Sequence, residues 1–219
     1  MAAATVIPTF PYATEPDDHC ESPVQAYTHV VPLLQALGKG YQVKLYDPYY
    51  CNGAVIDNLN SLGFSHVYNV KEDCYTVWKE RRKLDFFDAV VTNPPYSGDH
   101  MERLMKFVTS PRFHQRPWFL LLPNWVHKRD YYVEATRNVR PFYLVPKKRY
   151  VYEPPKNFRE AKKSDVHKKS SPFVSMWYIW GGTHVLNEKL IQRFLQVENS
   201  SGCSLARSKS ALRDLRRKG

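Results

Sequence analysis

Four consecutive residues, Asn93-Pro94-Pro95-Tyr96, combine an amide, two conformationally locked prolines and a phenol, and they suggest a particular chemistry. The exocyclic amine of a purine, like a carboxamide nitrogen, is a poor nucleophile because its lone pair is delocalised. The Asn93 side-chain oxygen and the Pro94 carbonyl can each accept a hydrogen bond from such an NH2 group. Two such bonds favour a pyramidal nitrogen, direct its lone pair outward and stabilise charge developing there without a strong base. Consecutive prolines stiffen the turn and fix the direction of that carbonyl. Tyr96 offers a flat face on which an unpaired base can stack. The plainer reading is a Pro-Pro turn followed by a core aromatic. The pattern Asp/Asn/Ser-Pro-Pro-aromatic arises by chance about 1 time in 100 in a chain of average composition and this length, which favours the chemical reading.

Such a turn needs a rigid strand beneath it. Residues 86–92 (FFDAVVT) are apolar at their centre and run directly into Asn93, so the motif is expected at the carboxyl end of a buried strand, the edge at which open parallel sheets bind ligands. Around it, apolar periodicity predicts helices over 22–37, 53–62, 73–82, 100–108 and 187–197, and strands over 41–46, 66–70, 117–122, 142–145, 149–152 and 173–180. Helices alternating with short apolar strands predict an α/β fold: a Rossmann-like, mostly parallel sheet with helices on both faces and a late antiparallel hairpin. Residues 1–17 read as an N-terminal arm, 18–199 as the domain with a basic loop over 153–171, and 200–219 as a basic tail.

Asn-Pro-Pro-Tyr after a buried strand resembles the catalytic motif of the class I S-adenosylmethionine-dependent amino-methyltransferases, above all the adenine-N6 enzymes. Asp47-Pro48-Tyr49-Tyr50-Cys51-Asn52-Gly53 occupies the place of that family's first cofactor motif. Cys20-Glu21-Ser22-Pro23 resembles its extra amino-terminal motif, and the order of the motifs matches the family's unpermuted arrangement. Lys148–Tyr152 and the segment 171–177 resemble the last strands of small Dam-like members. The resemblance spans roughly residues 18–182. It implies a class I methyltransferase fold, catalysis at Asn93, Pro94, Pro95 and Tyr96, and S-adenosylmethionine held by Ser22, Pro23, Asp47, Tyr49 and Gly53. The ribose partner is left among Asn69, Glu72 and Asp73. This chain departs from the family pattern in having one glycine at the cofactor turn, so that Tyr49 and Tyr50 crowd or line the pocket. It also has only 46 residues from Asp47 to Asn93, room for a single intervening strand.

Charge indicates what the substrate is. Residues 1–136 carry 13 Lys/Arg against 15 Asp/Glu, whereas residues 137–219 carry 19 against 6, so the whole excess of +11 lies late in the chain. A one-sided basic field suits a polyphosphate. Lys147, Lys148 and Arg149 interleave with Tyr150 and Tyr152, as on surfaces that track a nucleic-acid backbone, and Trp125 follows another strand end as a candidate pocket wall. The segment 156–169 holds six Lys/Arg, among them Lys162, Lys163, Lys168 and Lys169, and two acids. The expected partner is therefore RNA or DNA, with RNA favoured, and specificity comes from the basic loop, the substrate's own structure or a protein partner. Methylation of a protein glutamine or of guanine N2 in RNA would use the same tetrapeptide, and a catalytically silent binding subunit would keep the fold. The four isolated cysteines and eight scattered histidines show no metal-ligand spacing. No apolar run reaches the roughly 20 residues of a membrane span, and residues 1–10 lack the pattern of a secretory signal. An intracellular protein is expected, nuclear or cytoplasmic.

Overall fold

The computed structural model describes residues 11–14, 18, 20–80, 85–113, 115–152 and 174–218. Lys162, Lys163, Lys168 and Lys169 lie outside these residues. Strands β1 (Leu45–Tyr46), β2 (Val67–Tyr68), β3 (Ala89–Thr92), β4 (Trp118–Pro123), β5 (Phe142–Pro146), β6 (Ser175–Trp180) and β7 (Cys203–Ala206) form one mixed sheet in the order β2-β1-β3-β4-β6-β5-β7. The first four are mutually parallel, and β6 runs antiparallel between β4 and β5. The fold is thus α/β, with a parallel half that carries the motif of residues 93–96.

Both faces of the sheet are covered, which is why β3, β4 and β6 are buried at every position rather than alternating with polar residues. One core layer joins Val91, Phe119, Leu121, Leu144, Trp177 and Ile179 to helices α1 (Val24–Thr28), α2 (Val31–Gln35), α3 (Ala54–Ser61) and α7 (His184–Leu195). The opposite layer joins Val90, Trp118, Leu120, Leu122, Tyr143 and Tyr178 to α4 (Cys74–Glu80), α5 (His100–Val108), α6 (Asp130–Ala135) and α9 (Lys209–Lys218). Successive residues of one strand go to opposite layers, as the period of two requires.

Three expectations are corrected. The helix over 22–37 is two short ones, because Pro32 near the start of α2 lacks an N–H and its ring excludes the carbonyl four residues back. Residues 149–152 form no strand: β5 is already paired with β6 on one side and β7 on the other, so no edge remains for a hairpin. The segment keeps its alternation but turns Tyr150 and Tyr152 into the core, leaving Val151 outside. Finally, residues 200–218 are not a tail. After α8 (Glu198–Ser201), Gly202 at φ 75° turns the chain into β7, and α9 lays Ala211, Leu212 and Leu215 on the sheet.

Candidate active site

The connection from β1 to β2 leaves on one side of β1, and the chain returns on the other side as β3. The crevice between β1 and β3 at their carboxyl ends is therefore the point where strand order reverses, the general ligand position of open α/β sheets. Asp47 directly follows β1 and Asn93 directly follows β3. Both line an open cleft, together with Glu21, Ser22, Tyr49, Gly53 and Asn69.

Asp47 is the electrostatic centre of this cleft. Its Oδ1 accepts from the Thr92 hydroxyl (2.5 Å) and the Tyr49 backbone N–H (3.1 Å), while Oδ2 has no protein donor among the described residues. Burial outweighs those two bonds and pushes the carboxyl up to about 7. Asn69 donates an Nδ2 hydrogen to the Asp47 carbonyl (3.0 Å), and its buried Oδ1 accepts no hydrogen bond from the described residues. An orphaned buried acceptor on a cleft wall calls for a donor from a ligand. Gly53, at φ 87°, caps α3 in a conformation that excludes most side chains; a Cβ there would meet only the Tyr50 ring at 3.7 Å, so its requirement is backbone torsion rather than close approach.

The sequence expectations for this cleft sort clearly. Ser22, Tyr49, Asp47, Gly53 and Asn69 are brought together. Pro23 caps α1 behind Ser22, whose carbonyl accepts from Asn58 Nδ2 (3.1 Å). Asp73 is not in the cleft: its two oxygens accept from the Tyr75 N–H and the Thr76 hydroxyl at the start of α4, and Glu72 accepts from the Tyr68 hydroxyl. Of the three ribose candidates, Asn69 alone faces the ligand space.

At the end of β3 the Tyr96 hydroxyl donates to Asn93 Oδ1 (2.7 Å) and stands 3.2 Å from Ser175 Oγ. An amide oxygen has two lone pairs, so this bond fixes the Asn93 amide and leaves one acceptor position. Asn93 and Pro95 line a second open cleft with Tyr12, Thr14, Asp18, Tyr49 and Tyr50, and Asn93, Tyr49, Cys20 and Cys51 border both clefts. Tyr96 lines neither. It is placed to hold Asn93, in contrast to the stacking face expected from its position.

Farther along the same edge, Lys147, Lys148 and Arg149 are exposed just past β5. Tyr150 is buried, with its hydroxyl 2.7 Å from His29 Nδ1, and is a core residue rather than part of a binding surface. Trp125 is half-buried against the core layer of Trp118, Tyr143 and Tyr178, with the Arg129 guanidinium 4.7 Å from its ring centroid. Sequence reasoning missed Thr92, Glu21 (which accepts from the Ala54 N–H at the start of α3, 3.1 Å), Asp18 and Tyr12. The signal for Thr92 was a hydroxyl ending an apolar strand. Glu21 lies within the Cys20–Pro23 segment that resembles the extra motif, whereas Asp18 and Tyr12 sit in an aperiodic segment that carries no signal. No family model matches the chain, and no curated protein matches it.

Proposed function

We propose that the protein is a class I S-adenosylmethionine-dependent methyltransferase acting on an exocyclic amine, with adenine N6 in a nucleic acid, RNA first, as its acceptor. The observation that carries this reading is the pairing of Asn93 and Asp47 across the strand-order reversal, so that an amine-polarising amide and a buried carboxylate border one connected space.

The first cleft suits the cofactor. Asp47 Oδ2 would meet its ammonium group, which would also favour the ionised carboxylate, and the Asn69 Oδ1 acceptor would take a ribose hydroxyl. When bound, S-adenosylmethionine supplies an electrophilic methyl group. The rest is done by residues of this chain. Asn93 Oδ1, oriented by Tyr96, and the Pro94 carbonyl accept the amine hydrogens and hold the lone pair out of conjugation. Pro94 and Pro95 are themselves buried, and of the two only Pro95 borders the second cleft. Lys147, Lys148 and Arg149 supply phosphate contacts on the same sheet edge.

The test is incubation with tritium-labelled cofactor and separate pools of RNA, DNA and protein, followed by nucleoside and amino-acid analysis. Label in N6-methyladenosine supports the reading. Label in methylglutamine or N2-methylguanosine reassigns the acceptor, and no cofactor binding at millimolar concentration overturns the enzyme.

A further inference from the structure

Tyr12 and Ala13, from the segment read from sequence as an arm, and Asp18 just after it make contact with the site. The Tyr12 ring contacts Tyr49, Tyr75 and His100 at centroid distances of 5.6, 6.0 and 5.5 Å. Its hydroxyl donates to the Tyr50 carbonyl (3.1 Å), and His100 Nε2 lies 2.7 Å from the Ala13 carbonyl. Asp18 Oδ1 accepts from the backbone N–H groups of Tyr96 (2.9 Å) and Ser97 (3.1 Å), and its Oδ2 accepts from the Ser97 hydroxyl.

This carboxylate meets a specific need. Pro94 and Pro95 have no N–H, so Tyr96 and Ser97 carry the first backbone donors after Asn93, at a point where the chain has left the sheet. A carboxylate from 78 residues upstream satisfies both, and charge-assisted bonds of this kind are about twice as strong as neutral ones. Three aromatic side chains, Tyr12, Tyr49 and Tyr50, border the second cleft with Asn93 and Pro95, and flat walls of this type suit a flat ring.

We propose that Tyr12, Thr14 and Asp18 complete the acceptor site: the three wall the cleft that receives the planar, amine-bearing base beside Asn93, and Asp18 is a positioning residue that holds the Asn93–Tyr96 turn. The identity of the base rests on the methyltransferase reading; the hold on the turn does not.

The experiment uses the full chain with Asp18→Ala, Asp18→Asn and Tyr12→Ala, read by amide hydrogen exchange across residues 93–98 and by titration with adenosine, alone and with S-adenosylhomocysteine. Asp18→Ala should speed exchange at Tyr96 and Ser97 by about 10-fold or more while the rest of β3 keeps its protection. Asp18→Asn retains an acceptor oxygen and should restore part of that protection. Tyr12→Ala should weaken adenosine binding by roughly 10-fold, the worth of one stacking partner, with Tyr96 and Ser97 still protected. In the active enzyme, Asp18→Ala should lower kcat with cofactor affinity retained, whereas Tyr12→Ala should raise the acceptor KM. Unchanged exchange in a folded Asp18→Ala protein overturns the positioning role. Adenosine that fails to bind the wild type, or binds Tyr12→Ala equally well, overturns the wall. Absence of methyl transfer by the wild type with the exchange effect present counts against the methyltransferase reading alone.

Discussion

At the residue scale, two side chains have distinct and measurable duties. If the protein is the proposed methyltransferase, Asn93 acts when charge builds on the acceptor nitrogen, and Asn93→Ala should leave folding and cofactor binding intact and lower turnover by about 100-fold or more. Tyr96→Phe keeps the ring and removes the bond to Asn93 Oδ1, and steady-state kinetics should show a smaller loss, roughly 10-fold, in kcat. Equal losses in the two variants would mean that Tyr96 does more than orient the amide. Asp47 governs a pH effect whose sign follows from its raised pKa. Its carboxyl titrates near 7 when folded and near 3.8 otherwise, so between those values the folded state holds the extra proton. Stability contributed by the protonated form is complete below about pH 4 and is lost as pH rises through 7. Chemical denaturation of the ligand-free protein at pH 5 and pH 8 should therefore show a drop of up to about 2.5 kcal/mol, the worth of the roughly two pH units between 5 and the folded pKa, that is absent in Asp47→Asn. Identical pH dependence in the two proteins would show that Asp47 is ionised throughout.

At the element scale, strand ends do the positioning, and the turns that follow them are under steric constraint. Past β6, Gly182 has φ 82°, and a Cβ there would lie 2.4 Å from the Gln115 backbone oxygen, at the approach to β4. Neither a side chain nor solvent can yield, because both partners are backbone. Gly182→Ala should cost more than about 2 kcal/mol, combining left-handed strain with displacement of the β4 approach, and should appear as a lowered Tm. Tm within a degree of wild type would show that the 115–116 turn can move freely. The consequence reaches the site, since β4 and β6 flank the Tyr96 hydroxyl through the Leu121 carbonyl (3.4 Å) and Ser175 Oγ.

Over the whole molecule, the charge asymmetry read from sequence maps onto geometry only in part. β5 is parallel to β3 and β4 by way of two antiparallel pairings, so Lys147, Lys148 and Arg149 emerge at the Asn93 edge. If they contact phosphates, single-stranded RNA affinity should fall with salt at a log–log slope of about −0.7 per contact, and replacing all three with Ala should flatten the slope by about 2. A slope unchanged by the triple substitution would move the phosphate contacts elsewhere on the chain, and a binding constant flat in salt would remove the nucleic acid. Among the described residues no helix is long and apolar enough to cross a membrane.

What the sequence determined by itself is what depends on near neighbours. The apolar run into Asn93 specified a buried strand with the tetrapeptide at its end, His100–Val108 appeared as a helix at its predicted bounds, and Asp47 and Gly53 were legible as a strand-to-helix turn. Strand length was less legible: β1 and β2 are two residues each, because at this end of the sheet pairing stops within a few residues. Only the tertiary structure decided which residues share a space. Asn69 rather than Asp73 faces the cleft because Asp73 is held at the start of α4, Tyr150 is core because both sides of β5 are taken, and a short Ser-rich stretch supplies β7. The contact of Asp18 with Tyr96 spans 78 positions, and a hydrogen bond at that separation leaves no local pattern in the chain.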